Sequence, residues 1–93
     1  MASVHLEIYV ERGCSICRRS LSLAAEVRDR FPQVRLRVVD VSSGGGDYRH
    51  LVTATPTFVL NGSTFSLGNP SGAELERVIL DLLQRPDEHE PEI

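Results

Sequence analysis

The 93-residue chain has no lysine, no tryptophan and only two cysteines. Without lysine there is no side-chain amine for Schiff-base chemistry, and all ten basic residues are arginines. No stretch approaches the roughly 18 apolar residues of a membrane span. The N-terminus has no positively charged segment and no long apolar run. No secretory leader is therefore expected, and cytoplasmic residence is the default. Surplus charge is scarce as well. The formal net charge is -3, and it arises at the very end, where Arg85 meets Asp87, Glu88, Glu90 and Glu92. Residues 1–84 balance, which gives no electrostatic case for nucleic acid or an acidic membrane surface as partner. A chain this short makes one small domain, placed at 1–84. Residues 85–93 read as an acidic, proline-bearing, disordered tail.

The two cysteines fall together in Gly13-Cys14-Ser15-Ile16-Cys17-Arg18-Arg19. In a reducing compartment this spacing points to redox catalysis or metal binding rather than a structural staple. Structural zinc takes four ligands, commonly from two pairs. Here one pair is joined only by scattered His5, His50 and His89. A metal or iron–sulfur cluster would have to be shared across a dimer.

The surrounding pattern is regular. Val4 to Val10 alternates and then turns apolar on both faces, which reads as a strand buried more deeply toward its end. From Ser15 to Phe31 the period is helical. Ile16, Ser20, Leu23, Ala24, Val27 and Phe31 fall on one arc, with Arg18, Ser22, Glu26 and Asp29 opposite. Pro32 stops the helix. Val34 to Val41 is a second strand. Its Arg35 and Arg37 make the solvent side of an edge. Ser42 to Gly46 reads as a connection and lacks the lysine of a phosphate loop. Asp47 is an N-cap for a short helix to about Thr53. His50, on that helix, is assigned no role.

Ala54 to Leu60 is a proline-led strand. Asn61-Gly62 signals a tight hairpin, because a type I′ turn needs positive φ at both central residues. Ser63 to Leu67 is the returning strand. Ser71-Gly72-Ala73-Glu74 is a capping box, and Leu75, Val78, Ile79, Leu82 and Leu83 form the stripe of a last helix ended by Pro86. The order is β-α-β-α-β-β-α. A right-handed parallel crossover joins the first two strands.

With Cys-x-x-Cys opening the first helix and Thr55-Pro56 opening the third strand, the chain resembles the thioredoxin superfamily, and most of all its compact glutaredoxin-like branch. Ile8 to Cys17 is similar to a glutaredoxin active-site strand and turn. Phe65 to Gly68 with the capped helix is similar to the end of such proteins. The likeness spans residues 4–84. It implies a βαβαββα α/β fold with a four-stranded mixed sheet flanked by three helices. It implies a thiol–disulfide oxidoreductase that needs no cofactor, with protein disulfides as substrates and a thioredoxin reductase or glutathione as electron donor. It also implies a cis bond at Pro56, a backbone at Thr55 offered to the substrate, and substrate contacts from Arg12 and Gly68. A glutaredoxin usually carries lysine three residues before its first cysteine, to meet the glutathione carboxylate. That position is Glu11, which argues against glutathione.

Thiol exchange needs an accessible thiolate and a second thiol within reach. A helix start supplies unpaired N–H groups and partial positive charge, which favour the thiolate. Cys14, the first of the pair, is the expected nucleophile, and Cys17, nearer the apolar arc, the expected resolving thiol. Arg18, about 40° from Cys14 on a helical wheel, is the expected tuning charge. The competing reading is a binding module that keeps the fold and uses the dithiol as a passive redox sensor or metal clasp.

Overall fold

The computed structural model describes residues 3–43 and 54–85. The elements are β1 (His5–Val10), α1 (Cys17–Arg30), β2 (Arg35–Asp40), a 3-10 turn (Val41–Ser43), β3 (Thr57–Leu60), β4 (Ser63–Leu67) and α2 (Gly72–Gln84). The strands form one sheet in the order β2-β1-β3-β4. β1 runs parallel to β2 and antiparallel to β3, and β3 runs antiparallel to β4. The mixed four-stranded α/β sheet is therefore as expected. Two α-helices are described rather than three. The short helix expected over Asp47–Thr53 lies outside the described residues, as does all of the expected tail except Arg85.

Strand alternation decides the layers. Leu6, Ile8 and Val10 of β1 join Phe58 and Leu60 of β3 on one sheet face. Against them pack Cys17, Leu23, Ala24 and Val27 of α1 and Leu75 and Ile79 of α2. Complete burial of a side chain such as Leu6 or Ile79 contributes about 1.5–3 kcal/mol, and Phe58, Ile8 and Leu23 are equally enclosed. β2 is the outer strand beyond β1. Its Val38 remains 37% exposed, and Arg35 and Arg37 face solvent.

The hairpin turn has the expected backbone, with φ of 49° at Asn61 and 85° at Gly62. Asn61 also closes the sheet end, its side-chain oxygen accepting the His5 N–H at 2.7 Å. At the start of α2 the Ser71 hydroxyl accepts the Glu74 N–H at 3.0 Å, the N-cap bond that the capping box requires.

α1 departs from the sequence reading at its start. The helix begins at Cys17, with Ile16 as an N-cap that makes no side-chain capping bond. Cys14 to Ile16 lie in the turn before it, closed by Cys14 N–H to the Glu11 carbonyl and Cys17 N–H to the Cys14 carbonyl, each 3.2 Å. The apolar arc therefore loses its first member. Ile16, ahead of the helix, points outward and is 54% exposed.

Candidate active site

Cys14 and Cys17 form a disulfide, with their Cα atoms 5.4 Å apart. Their environments differ. Cys17 opens α1 and is only 5% exposed within the core. Cys14, in the turn, is half-buried and touches the core at its edge. The asymmetry follows from local structure. A residue on the inner face of a helix is covered by the sheet, whereas one in the preceding turn stands at the rim.

Two other loops close on this turn. The Thr55–Pro56 bond is cis, and the Thr55 carbonyl oxygen lies 3.9 Å from Cys14 Sγ. Pro56 is buried and accepts the Gly68 N–H at 2.8 Å, so the loop after β4 is fastened to the loop before β3. Gly68 has φ of 92°. No atom approaches within 4 Å of where its Cβ would stand, so backbone conformation rather than lack of space calls for glycine there. Thr55 thus faces Cys14 directly, and Gly68 is tied to the same loop through the Pro56 carbonyl.

The arginines are arranged differently from the expectation. Arg18 is exposed on the first turn of α1. Because Cys14 precedes the helix, the wheel angle that placed Arg18 beside it does not apply. The Arg12 backbone N–H donates to the Ser42 hydroxyl at 3.1 Å. That hydroxyl donates to Asp40 at 2.5 Å, and the Ser42 N–H donates to the same carboxylate oxygen at 2.9 Å. These two Ser42 bonds, with the nearby Arg12 charge as the smallest of the favourable effects, hold the Asp40 carboxyl below the usual carboxylate range, against a weak opposing effect of burial. Arg12 is therefore part of a polar brace under the cysteine turn.

The fold has clear counterparts. Yeast mitochondrial thioredoxin 3, in its oxidised form, superposes with a TM-score of 0.69 and 25% identity, covering 88% of this chain and 81% of that one. Thioredoxin-2 of the malaria parasite, a component of that parasite's protein secretion machinery, gives 0.74 at 17% identity, covering 86% and 84%. Oxidised thioredoxin O2 from Arabidopsis thaliana gives 0.68 at 21% identity, covering 87% and 76%. The chain has the thioredoxin fold. No family model and no curated protein sequence matches it.

On this thioredoxin fold, three further residues help to build the site. Thr55 Oγ1 donates to Glu11 Oε1 at 2.9 Å. The Ser20 hydroxyl donates to Asn69 Oδ1 at 2.5 Å, and Asn69 Nδ2 donates to the Ile16 carbonyl at 2.9 Å. In the sequence Glu11 registers only as a charge of the wrong sign, and Ser20 only as a member of a helical arc. Asn69 lies next to Gly68, just ahead of the Ser71 cap. Its partners are dozens of positions away, beyond the reach of local pattern.

Among the described residues no helix is long and apolar enough to cross a membrane. No group of three His, Cys, Asp or Glu among them could hold a metal ion.

Proposed function

We propose that the protein is a small thiol–disulfide oxidoreductase of the compact, glutaredoxin-like form, acting on protein disulfides in the cytoplasm. The observation that carries this reading is the unequal burial of a closed Cys14–Cys17 pair beside the Thr55–Pro56 loop.

In the reduced protein, Cys14 as thiolate attacks one sulfur of a substrate disulfide. A mixed disulfide forms and one substrate thiolate leaves. Cys17 gives up its proton and attacks Cys14 Sγ, which closes the intramolecular disulfide and releases the second substrate thiolate. Two electrons pass to the substrate, and protons from Cys17 and solvent neutralise the leaving thiolates. A dithiol donor runs the sequence in reverse to restore the enzyme.

The roles follow from position. Cys14, at the rim, is the sulfur that a partner reaches first, and Cys17, enclosed by the core, acts second. Thr55 offers its backbone to the substrate chain as an added strand. Pro56 shapes that loop, and the Gly68 N–H secures it through the Pro56 carbonyl. Arg12 and Arg18, on either side of the cysteine turn in the sequence, supply positive charge for an attacking thiolate. Glu11 stands where a glutathione carboxylate would be met by lysine in a glutaredoxin. A dithiol reductase of the thioredoxin reductase type therefore suits this site better than glutathione.

Equilibration of the pair in dithiol redox buffers tests the proposal. A reversible two-electron transition between about -270 and -120 mV is expected, the range of exchange catalysts. A structural disulfide would titrate below about -300 mV, and that result would reject the catalytic reading.

A further inference from the structure

Glu11 makes two contacts that belong to different parts of the site. Its backbone carbonyl accepts the Cys14 N–H at 3.2 Å. Its side chain accepts the Thr55 hydroxyl at 2.9 Å, across 44 positions of sequence. The Thr55 carbonyl in turn faces Cys14 Sγ at 3.9 Å. These contacts form a closed circuit from Glu11 to Cys14 to Thr55 and back. Glu11 is exposed and Thr55 only half-buried. Water can replace a bond in such a place at small net cost to stability. The circuit therefore does little to hold the fold together, and its chief consequence is where the Thr55 backbone lies relative to the sulfur.

We infer that Glu11 is a positioning residue for the exchange reaction: its carboxylate fixes Thr55 so that a substrate chain laid along the loop delivers its disulfide to Cys14. The inference rests on the function proposed above. It assigns Glu11 no contact with the reacting sulfurs. The part played is that of an oxygen acceptor, which glutamine also provides. A purely electrostatic role would be lost in glutamine and alanine alike.

The test compares Glu11→Ala, Glu11→Gln, Thr55→Val, Thr55→Ser and the double variant Glu11→Ala/Thr55→Val, with a disulfide-bonded peptide as substrate. KM should rise by about three- to tenfold in Glu11→Ala and in Thr55→Val, the size of one lost hydrogen bond, with a smaller change in kcat. The double variant should be no worse than either single one, because both remove the same contact. Glu11→Gln and Thr55→Ser should recover most of the loss. Additive losses in the double variant, or a Glu11→Gln protein as impaired as Glu11→Ala, would overturn the inference.

Hydrogen exchange of the Gly68 amide in the oxidised protein gives a readout that needs no turnover. That amide donates to the Pro56 carbonyl, one residue beyond Thr55. It should exchange faster in Glu11→Ala and at the native rate in Glu11→Gln. Equal rates in native protein and Glu11→Ala would dismiss the clasp whatever the kinetics show. A native protein that exchanges no disulfide, with Gly68 still deprotected in Glu11→Ala, would leave the clasp standing and reject the oxidoreductase reading.

Discussion

The buried hydroxyl of Ser20 donates to the side chain of Asn69, which donates in turn to the carbonyl of Ile16, the residue between Ser15 and Cys17. The loop that enters α2 is thereby tied to the cysteine turn. Ser20 has no exposed surface, so its hydroxyl cannot turn to water. Asn69→Ala should cost about 1–2 kcal/mol in urea unfolding, because a buried donor loses its partner. The figure lies toward the low end because a helical serine can turn back to the carbonyl four residues earlier, here Ile16. An Asn69→Ala protein as stable as the native one would show that the contact does not secure the turn.

The core under the site makes a separate prediction. Ile79 on α2 is fully enclosed, whereas its neighbour Leu80 is 40% exposed. Ile79→Ala should lose about 2–5 kcal/mol through lost burial and the cavity left behind. Leu80→Ala should stay within about 0.5 kcal/mol of native. Denaturant midpoints with unchanged m-values would establish the contrast, and similar losses at both positions would mean that the buried face of α2 has been wrongly assigned.

The Asp40 brace should be visible in the dependence of stability on pH. The Ser42 bonds, aided by the Arg12 charge, lower the Asp40 pKa in the folded state. A carboxylate so lowered stabilises the fold above its unfolded pKa of about 3.9, and the benefit is lost as pH falls through the lower folded value. Native protein should therefore exceed Asp40→Asn by a constant margin from neutral pH down to about 5, with the two curves converging in acid below about 4. A margin that persists or widens at low pH would contradict the assignment.

Much of the frame was legible in the sequence because short-range rules govern it. The Asn61-Gly62 turn, the Ser71 cap, the alternation of β1 and the stripe of α2 each depend on residues a few positions apart. The dithiol was legible for the same reason. The first helical turn misled because periodicity places Ile16 on the apolar arc, whereas the closure of Cys17 onto Cys14 delays the helix and turns Ile16 outward. The angular relation between Arg18 and Cys14 failed with it. The polar ties from Glu11 to Thr55 and from Ser20 to Asn69 depend on loops that only the folded sheet brings together.

Trapping with Cys17→Ser bears most directly on the division of labour between the two sulfurs. The variant, reduced and mixed with a disulfide-bonded protein, should accumulate a mixed disulfide through Cys14, identified by mass spectrometry of the linked peptides. Cys14→Ser under the same conditions should yield little adduct, because Cys17 is only 5% exposed. Equal adduct formation by both variants, or trapping through Cys17 alone, would contradict the assignment of Cys14 as the attacking sulfur.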